Sequence, residues 1–322
     1  MEGVLDSCLY NANKYVLSIC IPTFSRAEDL SQTLSGIIEQ DGFADDIEIV
    51  VVDNASTDDT AKVVSRYSGR NSNIKYVQND HNIGPDRNIL KAALSGSGKY
   101  VKLLNDNKLL KDGVITHWRD IYASSSEAVI FNYPNAMNLP QWSSKVYTVD
   151  QFLRNVSYYI TWLGGISFKR EAIQDLTLSD LKDDSFLIQT EMLLKLLCKY
   201  GEGRVIYSDW FSETRIPKRS GYNYFEVFAN NFVVLLDEIE LKGFVTHSTK
   251  QTIKSELLRD HTFPFIIQSL LHHENNSQKR DGALYYLLKN FSTCLELYLF
   301  PLWVIRRAAT KILKYLIPKA HF

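Results

Sequence analysis

The chain has 322 residues, 45% hydrophobic and 23% charged, the make-up of a globular protein with room for one large α/β domain plus an appendage, or for two domains. A formal net charge of −1 excludes a global pull toward nucleic acid or acidic membranes, so any such attraction needs a local patch. The cysteines (Cys8, Cys20, Cys198, Cys294) show no C-x-x-C spacing and read as ordinary thiols of a reducing compartment.

Met1 to Asn13 carries Glu2 and Asp6 and no basic segment leading into an apolar run, so no cleaved leader is expected. The chain then alternates short β-branched runs with helical patterns, the signature of βαβ units on a mostly parallel sheet. Val16–Ile21 reads as a strand, followed by a helix over Ala27–Gln40 with Leu30, Leu34, Ile37 and Ile38 at helical spacing. Ile47–Val52 is a strand ending on Asp53, and Thr57-Asp58-Asp59 starts a helix over Thr60–Tyr67. Ile74–Val77 is a third strand, Gly84-Pro85 opens another helix, and Tyr100–Leu104 is a fourth strand running into Asn105-Asp106-Asn107. Strands are expected at Ala128–Asn132, Lys145–Val149, Leu163–Phe168 and Val205–Tyr207, with an almost wholly apolar, buried helix over Ser185–Tyr200. From about Tyr222 the pattern is helical: Tyr222–Leu241, Thr249–His272 and Asp281–Leu316. This predicts two regions, residues 1–215 and a helical 216–322.

Ligands of open parallel sheets bind beyond the carboxyl ends of the strands. Here the expected strand ends carry Pro22-Thr23-Phe24-Ser25-Arg26, Asp53-Asn54-Ala55-Ser56-Thr57-Asp58, the loop from Asn79 to Asn88, and Asn105-Asp106-Asn107-Lys108. One aspartate at a strand end is commonly a helix cap; four polar ends on one edge predict a site. Asp53 can accept hydrogen bonds from a base or ribose, with Thr23 and Phe24 flanking the base. Asn82 and Gly84 precede a helix N-terminus, a natural diphosphate site, and Arg87 in the first turn can neutralise phosphate charge.

Ile21-Pro22-Thr23-Phe24-Ser25-Arg26, Val51-Val52-Asp53-Asn54-Ala55-Ser56-Thr57-Asp58 and Asn82-Ile83-Gly84-Pro85-Asp86-Arg87-Asn88 resemble the motifs of family 2 glycosyltransferases over residues 15–210. The resemblance implies an α/β GT-A (Rossmann-like) fold: a mixed, mainly parallel sheet flanked by helices, here with a C-terminal helical extension. It also implies that Pro22, Thr23, Arg26 and Asp53 lie around the nucleotide, with Arg87 near the diphosphate. The family carries Asp-x-Asp after the fourth strand to hold Mg²⁺ or Mn²⁺; here Asn105-Asp106-Asn107-Lys108 leaves one carboxylate, so Asp106 and Asn107 are the expected ligands of a weakened site. The leucines after Lys108 claim the opposite face, which predicts a lysine pointing away from the cation; the alternative is a fixed positive charge near the phosphates.

An inverting transferase needs a base for the acceptor hydroxyl. The family's Glu-Asp pair aligns with Gln189-Thr190, so Glu191 is the first expectation and Asp183 or Asp184 the rivals. Tyr158–Trp162 reads as an acceptor platform or as core, His81 in the phosphate loop as a ligand contact or as surface, and His272 and His273 as surface. Leu295–Ile317 joins an apolar, Trp-containing face to Arg306, Arg307, Lys311 and Lys314, which predicts an interfacial helix, or else one packed on the catalytic domain or at a dimer contact. The resemblance is strongest to the abequosyltransferase group. It implies a CDP-activated 3,6-dideoxyhexose donor, a polyprenyl-diphosphate-linked O-antigen precursor as acceptor, and a place at the inner face of the bacterial plasma membrane. The rival reading is a non-catalytic nucleotide-sugar-binding scaffold.

Overall fold

The computed structural model describes residues 14–134, 139–174, 176–182, 184–212, 221–271 and 281–316, without the side chains of 270, 271 and 306–316. Asp183, Cys8, His272, His273 and the side chains of Arg306, Arg307, Lys311 and Lys314 therefore lie outside the described residues. The chain divides into two compact units, Met1–Lys218 and Arg219–Phe322.

The first unit opens with β1 (Leu17–Thr23), α1 (Ala27–Ile38), β2 (Ile47–Asp53), α2 (Thr60–Ser68), β3 (Ile74–Gln78), α3 (Pro85–Ser95) and β4 (Tyr100–Leu103). β2 is buried along its whole length, as expected of a strand covered on both faces. Within it Glu48 accepts from Ser18 Oγ, Ser97 N and Ser97 Oγ, so this buried carboxylate ties the turn before β4 to β1 and β2. Gly98 fits there because a Cβ would lie 2.8 Å from the Ser18 backbone nitrogen.

The chain continues through β5 (Leu109–Leu110), α4 (Val114–Ser124), β6 (Val129–Tyr133), β7 (Ser143–Thr148) and α5 (Val149–Val156). It closes with β8 (Ile166–Lys169), α6 (Arg170–Ile173), α7 (Ile188–Tyr200), β9 (Glu202–Tyr207) and β10 (Phe211–Ser212). Eight strands form one sheet in the order β3-β2-β1-β4-β8-β6-β9-β7, while β5 and β10 make a separate antiparallel pair. The pairs β1–β2, β1–β4, β2–β3 and β6–β9 are parallel; β8 runs antiparallel to both β4 and β6, and β7 to β9. The expected mixed, mainly parallel sheet flanked by helices is present.

Four elements of this unit, β8, α7, α4 and α5, differ from expectation. The strand expected over Leu163–Phe168 begins only at Ile166, because Leu163–Gly165 forms a 3₁₀ turn. Gly165 lies against the Phe131 ring, which a Cβ would meet at 2.4 Å. The late buried helix starts at Ile188 rather than Ser185, since Asp184 (φ 60°) and Phe186 (φ 57°) hold left-handed backbone that no helix can include. Helices α4 and α5 were not foreseen, although Val114, Ile115, Trp118 and Tyr122 share a face and Thr148 with Gln151 forms a capping box.

The second unit is helical, as expected: α8 (Phe232–Leu241), α9 (His247–Glu256), α10 (Phe263–Leu271), α11 (Ala283–Phe291) and α12 (Leu295–Leu316). The π-helical turns Phe225–Asn231 and Leu257–Thr262 lead into α8 and α10. The helix expected over Asp281–Leu316 is two, interrupted after Phe291. Among the described residues no helix is long and apolar enough to cross a membrane.

Candidate functional site

After β3 the chain returns to the other side of β1, so the strand order reverses between β1 and β4. In such sheets the crevice for a ligand lies beyond the carboxyl ends at that reversal. Register brings the polar ends together there: Thr23 stands opposite Asp53, and Cys20 opposite Leu103, so Thr23 reaches the level of Asp106.

Asp106 is 4% exposed and accepts from Thr23 Oγ1 at 2.9 Å and Arg26 Nη1 at 3.0 Å; its backbone oxygen accepts from Thr33 Oγ1 at 3.0 Å. Burial raises its pKa, with the Arg26 guanidinium pulling the other way. Asp106 thus faces into the fold as the partner of Arg26, not outward as a metal ligand. A hard dication seeks oxygen ligands, several of them anionic. The one carboxylate of this turn is already paired with Arg26, and Asn105 and Asn107 offer only amides. As placed, Asp106 and Asn107 do not fit the expected Mg²⁺ or Mn²⁺.

The remaining neighbours of this turn form a wall. Asn105 Oδ1 is buried with no hydrogen-bond partner, and a Cβ on Gly164 would lie 3.1 Å from it and 3.0 Å from the Trp162 ring. Trp162 stacks on Trp210, with centroids 5.3 Å apart. Lys108 places its ammonium 4.8 Å from the centroid of Phe211 and 5.9 Å from that of Trp162, and burial lowers its pKa. Beneath, the wholly buried Lys102 of β4 donates to Gly164 O at 2.7 Å between the rings of Trp118 and Trp210, and burial pushes its pKa well down. Sequence reading missed this lysine; the only signal was a charge inside an otherwise apolar strand. In the Tyr158–Trp162 stretch Tyr158 and Ile160 are core, while Trp162 is partly open.

The second strand end is organised differently from expectation. Asp53 is fully buried; it accepts from Ser56 N at 2.9 Å, from Ser56 Oγ, and from Tyr76 OH at 2.6 Å. It therefore shapes the turn rather than offering an open carboxylate. Ser56 Oγ accepts from Ser25 N and Asp58 from Ala27 N, clasping the loops after β1 and β2; Phe24 between them is exposed and Pro22 partly so.

At the third end, buried amides substitute for regular structure. Asn54 Oδ1 accepts from Ile83 N and Asn79 Nδ2, Asn79 donates also to Asn88 Oδ1, and Asn54 Nδ2 donates to Asn82 Oδ1 and Gly84 O. This holds Gly84 at φ 86° as the residue before α3, with open space where a Cβ would project. His81, Asn82 and Arg87 are exposed around it.

Asp86, in the first turn of α3, is buried and accepts from Phe186 N at 2.8 Å and Ser185 Oγ at 3.4 Å, fastening the left-handed loop before α7. Asp184 is exposed on that loop. Glu191 is not: it is 4% exposed, accepts from Lys182 N at 2.8 Å and pairs with Lys195 at 3.4 Å. Gln189 and Thr190 donate to Thr161 O and Ile160 O. The structure thus joins Asp184 to the α3 edge through Asp86, and gives Glu191 a packing role within α7 and its preceding turn.

Burial pushes the Asp86 carboxyl from 3.8 up to about 6. Between those values the folded chain holds a proton that the unfolded chain has lost, so stability falls as pH rises through this window. Asp86→Asn should flatten that fall, measured as urea midpoints at pH 4, 5, 6 and 7. Parallel curves for the two proteins would contradict it.

Comparison with known proteins bears on the family and the fold. Abequosyltransferase RfbV of Salmonella typhimurium is 40% identical over 101 residues, 31% of this chain and 30% of that protein. A GalNAc(5)-diNAcBac-PP-undecaprenol beta-1,3-glucosyltransferase of Campylobacter jejuni is 35% identical over 101 residues, 31% of this chain and 32% of that one. The matches thus span about a third of the length of these relatives. Among solved structures, S. aureus TarS 1–349 covers 91% of this chain and 87% of its own with a TM-score of 0.58 at 18% identity. A mannosyltransferase from Pyrobaculum calidifontis, solved with GDP-Man and Mn²⁺, covers 94% and 88% with a TM-score of 0.52 at 17% identity. Such distant likenesses show the fold alone. The chain belongs to glycosyl transferase family 2, whose model matches residues 18–177.

Proposed function

We propose that this protein is a glycosyltransferase that moves a sugar from a nucleoside-diphosphate donor to a lipid-linked precursor of a bacterial surface polysaccharide. The observation that carries this reading is the convergence of Thr23, Arg26, Asn105 and Asp106 at the reversal between β1 and β4, in a chain of this family. The base and ribose would lie over Pro22, Thr23 and Phe24. Asn82, Gly84 and Arg87 would flank the donor on the α3 side, where the helix N-terminus favours anions, with the diphosphate reaching the end of β4. Likeness to the abequosyltransferase supports a CDP-activated 3,6-dideoxyhexose as donor and an O-antigen repeat as acceptor.

Asn105 gives the test. Its buried oxygen lacks a partner, so Asn105→Ala should leave stability unchanged or raised. Loss of a hydrogen bond to the donor costs roughly 1–3 kcal/mol, about five- to 150-fold in affinity. Release of nucleoside diphosphate from a panel of nucleotide sugars, CDP-linked ones included, measures the activity. Donor binding without release would return the scaffold reading, and unchanged affinity in Asn105→Ala would move the site.

For the acceptor base, the exposed Asp184 on strained backbone is the better supported residue, since strain of this kind collects at functional loops and Glu191 is occupied. Asp184→Asn should keep donor affinity and lose transfer by about 10²–10⁴-fold. Glu191→Gln should lower stability and retain transfer. The reverse pattern in single-turnover assays would restore Glu191 as the base.

The acceptor lipid implies a membrane surface. In the second unit Leu295, Tyr298, Leu299, Leu302 and Ile305 of α12 are exposed at helical spacing, an apolar row suited to an interface or to a dimer contact. We place this row on the cytoplasmic leaflet. Leu299→Glu with Leu302→Glu should reduce cosedimentation with anionic vesicles and leave donor hydrolysis intact. Unchanged cosedimentation, or a change in oligomeric state instead, would assign the row to a dimer.

A further inference from the structure

We propose that Lys108 is the fixed cation that meets the donor's diphosphate in place of a divalent metal. This rests on the donor-binding reading above. The turn after β4 has one carboxylate, Asp106, and its oxygens already accept from Thr23 and Arg26. An incoming dication would find amides, a neutralised acid, and the charges of Arg26 and Lys108 opposing it. An incoming dianion would find the opposite.

Lys108 is built for that role by its surroundings. Its ammonium lies against Phe211 and Trp162, whose faces attract a cation without neutralising it. No carboxylate among the described residues pairs with it. Both rings are held: Phe211 belongs to β10, paired with Leu110 of β5, and Trp162 stacks on Trp210. The ammonium is therefore half-removed from water and pre-positioned, the condition under which a charge stabilises a transition state most. The wall that carries it also carries the unpartnered oxygen of Asn105.

In the transfer the bond between the sugar's anomeric carbon and the β-phosphate oxygen breaks, and its electron pair stays on the phosphate. The acceptor oxygen forms the new bond to that carbon, and its proton passes to the base. Lys108 stays protonated throughout and stabilises the growing diphosphate charge.

The test uses the full-length chain with CDP, UDP and GDP as probes, titrated calorimetrically in EDTA and then in Mn²⁺. Lys108→Met keeps the apolar stem on Phe211 and removes the charge; Lys108→Arg restores it. The native protein should bind its preferred diphosphate equally, within about twofold, in chelator and in Mn²⁺. Lys108→Met should bind at least about tenfold more weakly, and Lys108→Arg should recover most of the loss. Binding that requires Mn²⁺, or that Lys108→Met leaves unchanged, overturns the assignment while the donor site stands. Absence of diphosphate binding in either condition overturns both. The metal arm needs only the native protein, so it decides even if the methionine variant misfolds.

Discussion

The pairing of the buried Asp106 with the half-buried Arg26 fixes the geometry on which the site depends. Asp106 sits where the parallel half of the sheet changes direction, and its carboxylate gathers Thr23 from β1 and Arg26 from the start of α1. Thr33 of α1 holds the same residue by its backbone oxygen. Three segments are thereby closed around one acid. Loss of Arg26 would leave the buried Asp106 carboxylate without its cation. With Asp106 committed inward, the neighbouring Asn105 and Lys108 form the face toward Gly164 and Trp162. A single inward acid thus converts a turn expected to hold a cation into one that presents a cation.

The far end of the edge is held by the same logic with neutral groups. Asn54, Asn79 and Asn88 are buried and satisfy one another and the backbone, which lets the Asn82–Gly84 loop pass without regular structure. Buried amides need complete hydrogen bonding to be tolerated. Asp86 extends the clamp to the loop before α7, so the donor edge and the candidate base loop share one helix terminus.

Much of this was readable from sequence. The first four strands and three helices of the sheet follow from β-branched runs, helical spacing and turn residues, and the polar strand ends marked the site edge. What sequence could not give was direction. Asp53, Asp106 and Glu191 look alike as acids in motifs; only packing shows that Ser56 with Tyr76, Arg26 with Thr23, and Lys182 with Lys195 engage them. Lys102 was hidden because its partners, Gly164 O and two tryptophan faces, are distant in sequence. The start of α7 was misjudged because Asp184 and Phe186 take left-handed backbone, rare for a phenylalanine, which the Asp86 anchor helps to hold.

On the proposal above, protein cations at the end of β4 meet the donor's diphosphate. A crystal structure of the protein with bound CDP, or whichever nucleoside diphosphate binds best, grown with Mn²⁺ present, tests it most directly. Phosphate oxygens are expected within hydrogen-bond distance of Lys108 Nζ, with Asp106 still paired to Arg26 and no metal ion between Asp106 and the diphosphate. A Mn²⁺ ion bridging Asp106 and the diphosphate, with Arg26 displaced, would contradict it.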